Sequence, residues 1–181
     1  MNTKHIEKIL EEFGQQVVND AKANLLYEKG STVLGESIRF EVVPDSQGFT
    51  TRFYMENYGE YLDKGVSGNQ NEVSYEDTKG TIRSSPYKYT TKGPPIDIIS
   101  KWIKRKGIEP KGLGRGRSKD TGQYVSGFAY LISRKIKREG IKSLSFFQRP
   151  VGIGYKELKE NFLKELKLDI ETYITTFYRP K

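Results

Sequence analysis

The sequence predicts an α+β fold: a small antiparallel sheet packed by an N-terminal helix and a long C-terminal helix, with a long extended arm or loop. Three patterns carry this expectation. Apolar residues recur at helical spacing over 4–28 and again over 155–177. Two runs between Gly35 and Met55 alternate apolar with polar residues, as half-buried strands do. The stretch 67–95 follows neither period.

Ile6, Ile9, Leu10, Phe13, Val17, Ala21 and Leu25 place one apolar stripe on the first helix, with Thr3 as a plausible N-cap and Gly30 as its stop. Next, Ile38, Phe40 and Val42 point one way, and Ser37, Arg39 and Glu41 the other. Pro44 to Gly48 is turn chemistry, after which Phe49, Thr51, Phe53 and Met55 alternate again. This is an antiparallel hairpin whose buried face needs the first helix as cover.

Tyr58-Gly59-Glu60-Tyr61-Leu62-Asp63-Lys64-Gly65-Val66-Ser67-Gly68 then reads as a joint at which the sheet hands over to an extended loop. Residues 67–95 hold three glycines, three prolines and Tyr75, Tyr87 and Tyr89. An irregular run of that length is unusual inside a compact domain, so the expectation is an arm or long hairpin that packs on something, such as a neighbouring subunit. Tyrosines suit such a surface, because each offers apolar area and a hydroxyl that stays wet or bonded.

Pro94-Pro95 opens a short helix through Lys106, with Ile98, Ile99, Trp102 and Ile103 on one face and Lys101, Lys104, Arg105 and Lys106 on the other. Lys111 to Gly122 reads as a mobile, basic, Gly-rich loop. A third helix is expected over 123–139, with Val125, Phe128, Leu131, Ile132 and Ile136 inward and Gly140 as its stop. Ser145 to Pro150 reads as extended, and the last helix runs from about Tyr155 to Phe177.

Composition bounds the function. A chain of 181 residues is expected to form one domain, and it contains no cysteine, which removes disulfides, Cys-based zinc sites and a thiol nucleophile. An apolar fraction of 35%, with 30% charged residues and a mean hydropathy of -0.69, is lean for a compact monomer and favours a fold completed by neighbours. No apolar run approaches a membrane span or a signal-peptide core, so a soluble product made in the cytoplasm, with no membrane partner, is expected. The net charge of +8 is uneven: Lys79 to Lys142 carries 17 Lys and Arg against 4 Asp and Glu, and the remainder 14 against 19. Such a block suits nucleic acid or the acidic face of a partner.

Catalytic constellations find little support. The only histidine, His5, lies at the start of the first helix, away from any serine it would need to activate. Gly112, Gly114 and Gly116 lack the preceding strand and the Lys-Ser/Thr of a phosphate cradle. Glu157-x-Lys159 and Glu165-x-Lys167 look like nuclease fragments but sit on the terminal helix with no partnering strand aspartate. Glu56, Glu60 and Asp63 lie close in sequence, and hydrogen bonding of loop amides explains them better than a cation does. No catalytic residue, cofactor or metal is expected.

The order of short motifs is more informative. Leu34-Gly35-Glu36-Ser37-Ile38 begins the hairpin, Tyr58 to Gly65 follows, and an arm ends in Pro94-Pro95. Ile99-Ser100-Lys101-Trp102-Ile103 with Lys106-Gly107-Ile108 comes next, then Ala129-Tyr130-Leu131-Ile132 with Gly140-Ile141, and Phe146-Phe147-Gln148-Arg149-Pro150 before the last helix. This series resembles the tail-completion, neck or head–tail joining structural proteins of tailed bacteriophages.

The resemblance implies a non-enzymatic virion protein, one subunit of a ring of about six or twelve copies around the DNA channel, adjoining portal, connector and tail proteins. It puts Tyr58, Tyr61, Asp63, Tyr75, Tyr87, Tyr89, Phe147 and Arg149 at subunit interfaces. Lys104, Arg105, Lys106, Arg115, Arg117, Arg134, Lys135 and Arg138 become candidates for a basic face toward packaged DNA. The alternative reading of that block is a basic nucleic-acid-binding protein holding phosphates without reading sequence.

Overall fold

The structure, a computed structural model, describes residues 3–29, 33–46, 48–108, 115–117 and 124–177. In chain order its elements are α1 (Thr3–Lys29), α2 (Val33–Ser37), β1 (Arg39–Asp45), β2 (Gly48–Tyr54), α3 (Gly59–Lys64), β3 (Val66–Ser67) and β4 (Ser74–Glu76). These are followed by β5 (Ile82–Ser84), α4 (Ile96–Arg105), β6 (Arg115–Arg117), β7 (Tyr124–Ser126), α5 (Gly127–Glu139), β8 (Gly140–Ile141) and α6 (Gln148–Phe177). The fold is α+β, with a small antiparallel sheet and long helices at either end of the described chain. Its residues gather into two units: 1–59, 76–81 and 145–181 form the first, and 60–75 with 82–144 the second.

In unit one the apolar stripe of α1 is buried at Val17, Val18, Ala21 and Leu25, as its spacing predicts. The hairpin β1–β2 pairs Arg39 with Tyr54 through to Asp45 with Gly48, and this register stacks Phe40 opposite Phe53. Phe53 is the centre of an aromatic cluster. Its ring centroid lies 6.0 Å from Phe13 of α1, 6.3 Å from Phe40 and 5.4 Å from Phe147, the first and last edge-on. On the hairpin's other side Arg39 stacks over the Tyr54 ring at 4.5 Å, and the Tyr54 hydroxyl donates to Glu41.

Two boundaries in unit one differ from expectation. Leu34 to Ser37 does not begin the hairpin but forms the short helix α2, closed by the Ser37 hydroxyl donating to the Leu34 carbonyl at 2.8 Å. The last helix begins at Gln148 rather than near Tyr155, so the segment read as extended up to Pro150 is already helical at its end. Pro150 is tolerated because it falls in the first turn, where backbone N–H groups have no intrahelical acceptor. Gly152 and Gly154 then serve two close approaches: a Cβ at Gly152 would strike the Thr78 carbonyl, and one at Gly154 would meet Phe13 and Val17 of α1 at 3.1–3.2 Å.

In unit two, α4 and α5 pack through Ile99, Ile103 and Ala129, ringed by Ile96, Phe128, Ile132 and Ile136. The joint read after the first sheet contains more structure than an extended loop: it forms α3 and then β3, which pairs antiparallel with β8. The helix expected from Gln123 starts at Gly127, because Tyr124–Ser126 is a strand pairing with Arg115–Arg117, inside the stretch read as a loop. The rest of that loop reading, 111–114 and 118–122, lies outside the described residues.

Gly140 ends α5 as predicted, at φ 87°, and a Cβ there would run into the Val66 carbonyl across the β3–β8 pair. Gly140→Ala is therefore expected to lower the unfolding free energy by about 2 kcal/mol or more, combining left-handed strain with a backbone clash. Urea unfolding of both proteins measures it; equal midpoints would refute the close approach.

Candidate functional site

The Tyr58–Gly65 motif resolves into distinct roles. Tyr58, in unit one, is exposed. Within unit two, α3 places Glu60 and Lys64 one turn apart, with Lys64 Nζ 2.6 Å from Glu60 Oε1. Hydrogen bonds from Lys64, and then from the Tyr87 hydroxyl, hold the Glu60 carboxyl below the usual carboxylate range, and Glu60 in turn holds Lys64 above the usual lysine range. Tyr61 leans on Tyr87 with ring centroids 4.4 Å apart. Burial, and after it the Glu60 hydrogen bond, pushes the Tyr87 hydroxyl up, and burial alone does so for Tyr89. Asp63 is a correction to the expected interface: at 2% exposure it is part of the interior.

Residues 67–95 find their partners within their own chain. Ser67 donates its N–H to the Tyr87 carbonyl and accepts the Tyr89 N–H on its own carbonyl, each at 2.8 Å. Its hydroxyl accepts the Val73 N–H at 3.0 Å. Ser85 donates its N–H to Val73 and its hydroxyl to Gly65, and the Ser133 hydroxyl reaches the Pro94 carbonyl at 2.6 Å. Lys137 Nζ donates to the Thr91 carbonyl at 2.7 Å. Tyr75 is half-buried. Many backbone groups of this segment are thus met within the chain itself.

In unit one, Arg149 clasps Glu76 through Nε and Nη2 at 3.2 and 2.9 Å, and Phe147 belongs to the aromatic cluster. Both residues of the Phe-Arg-Pro motif therefore have roles inside the chain, and only the Arg149 guanidinium remains largely exposed. The motif explains its own residues structurally.

The basic face is arranged differently. Lys104 and Arg105 project from α4, with Lys106 just after it, and Arg134, Lys135 and Arg138 project from α5; all six are exposed. Arg138 and Lys135 share Glu139 at 2.7 and 3.8 Å, and these donors hold the Glu139 carboxyl below its usual range. Arg115 and Arg117 lie on β6. Among these cations sit apolar side chains that the sequence reading had assigned inward. Ile98 is 57% exposed and Trp102 40%, while Leu131 is also exposed beside Tyr130. On a ten-residue helix whose buried positions are Ile99, Ser100 and Ile103, Ile98 and Trp102 fall one flank away from the core.

A second exposed apolar group, unnoticed in the sequence, lies in unit one. Tyr27 of the last turn of α1 is 90% exposed and Val33 of α2 68%. Glu36 and Glu56 are exposed nearby, the Glu56 N–H donating to the Ser37 hydroxyl at 3.1 Å. Only the helical period carried a signal for these residues: Leu26 and Tyr27 follow the buried Leu25 and fall off the inward stripe.

The chemistry is sparse. Glu157 accepts a hydrogen bond from Gln16 Nε2 at 2.6 Å across α1 and α6, a structural role for that nuclease-like glutamate. Among the described residues no group of three or more His, Asp or Glu is placed to hold a metal ion, and no helix is long and apolar enough to cross a membrane.

The Glu60–Lys64 pair gives a pH test. A depressed Glu60 pKa stabilises the fold above the ordinary carboxylate range, and the contribution is lost as pH falls through the depressed value. Because the Glu60 side chain is 53% exposed, screening limits the pair to about 1 kcal/mol at most. Glu60→Gln should cost that much near neutrality, and the gap to the parent should close on acidification, as read by chemical unfolding at several pH values. A gap independent of pH would refute the assignment. No family model, curated protein or solved structure matches this chain.

Proposed function

We propose that this chain is a non-enzymatic structural subunit of a phage virion, one copy of a ring in the head–tail connector, neck or upper tail through which packaged DNA passes. The reading rests on the motif order from Leu34 to Pro150, and one structural observation supports it. Two groups of large apolar side chains, around Tyr27 and Val33 and around Ile98 and Trp102, stand in solvent on a chain that is short of apolar residues. A chain with so little to bury leaves such residues outside at a cost unless something covers them.

The tyrosine-bearing segment 67–95 lends the reading no support, since many of its backbone groups bond within the chain. The exposed helical surfaces are what support it. The basic block would then face an acidic neighbour or the DNA in the lumen, and the ring would close through a head-to-tail contact.

Electron microscopy of purified protein, together with mass spectrometry of phage particles encoding it, tests the proposal. A ring in projection, or the chain as a stoichiometric particle protein at the head–tail junction, is expected. A monomer absent from particles would overturn the reading.

A further inference from the structure

We infer that the self-contact of this chain joins two chemically complementary surfaces: the basic, apolar outer faces of α4 and α5 in one copy seat on the acidic, apolar end of α1 and α2 in the next. This rests on the ring reading above and names the partner at its interface.

The donor surface carries Ile98, Trp102 and Leu131 together with Arg105 and Arg134, all exposed. Among the described residues neither arginine meets a carboxylate. The acceptor surface carries Tyr27, Val33 and Tyr58 with Glu36 and Glu56, and among the described residues neither glutamate meets a cation. The imbalance extends to the units themselves, for unit two has 17 Lys and Arg against 7 Asp and Glu, whereas unit one has 14 against 16. Each surface thus lacks what the other presents.

The apolar residues decide between a protein and a nucleic-acid occupant. A duplex backbone offers phosphates to Arg105 and Arg134 but nothing that rewards burying Ile98 and Leu131, and direct base reading uses a different set of side chains. An apolar, acid-fringed protein surface rewards both features: the aromatic and aliphatic centre supplies affinity on desolvation, and the charges at its margin fix register and speed association. Repeated head to tail, as the ring reading has it, the contact is heterologous. It leaves one of each free on every pair, as closure into a ring requires.

Charge reversal with complementation tests this. Two variants are made, Arg105→Glu/Arg134→Glu and Glu36→Lys/Glu56→Lys, each checked for unchanged circular dichroism and freed of nucleic acid by nuclease. Sedimentation velocity at low salt should show association of the parent, and a loss of roughly tenfold or more in association constant for either variant alone. Mixing the two variants should restore it, because every contact in an alternating assembly then joins opposite charges. The four-fold variant should also associate by itself.

Association that persists in both variants, or that mixing fails to rescue, overturns these surfaces and leaves the ring reading standing on microscopy and particle composition. A parent that stays monomeric at high concentration and low salt, and is missing from particles, overturns both. Association of the parent that disappears on nuclease treatment shows that the basic face meets nucleic acid instead, and overturns the inference.

Discussion

Ser67 is the residue on which unit two turns. It is buried, and its N–H, carbonyl and hydroxyl each hold a different part of the chain: Tyr87, Tyr89 and Val73. On its other side β3 pairs with β8, so Gly140 lies opposite it and the end of α5 is tied to the same two-residue strand. A buried polar group of this kind stabilises only when every atom is matched, and here the matching partners come from further along the same stretch of chain, at Val73, Tyr87 and Tyr89. Much of the mostly irregular chain between Ser67 and Pro95 that belongs to unit two is tied into it in this way.

The same arrangement explains what was legible beforehand. α1 and the β1–β2 hairpin announce themselves through period, because Val17, Ala21 and Leu25, or Phe40 and Phe53, must each face one side. α2, α3, β3 and β8 have two to six residues each, too few to display a period, and they are stabilised by partners such as Ser37 and Ser67. The start of α6 was hidden for another reason. Phe146, Phe147 and Pro150 read locally as extended chain, yet aromatic packing on Phe53 and the close approach of Thr78 to Gly152 hold the helix there.

Candidate residues divide along the same line. Asp63 and Phe147 stand in conspicuous motifs and have their places inside the chain, whereas Tyr58 of the same joint as Asp63 is exposed, so prominence in a motif did not by itself separate interior from surface. Ile98, Leu131 and Trp102 were counted toward the core because the sequence shows only that they are apolar on an amphipathic helix. Where the neighbouring helix actually lies is a tertiary fact: α5 meets α4 over Ile99 and Ile103, one flank round. Tyr27 and Val33 carried no motif.

The exposure of those residues follows from how little apolar material the chain holds and where it has been used. Among the described residues the α4–α5 core of unit two consists of three buried apolar side chains and four partly buried ones, and the aromatic cluster of unit one gathers around Phe53, while the outer flanks of α1 and α4 keep exposed apolar residues. Evenly spread charge would keep such flanks soluble and indifferent to any particular partner. Instead, exposed cations accompany the flank of α4 and exposed carboxylates stand on and beside α2, so like faces disfavour one another. Charge complementarity of that kind is what the contact inferred above between unlike surfaces of two copies would use: apolar area at the centre for affinity, opposite charges at the margin for register.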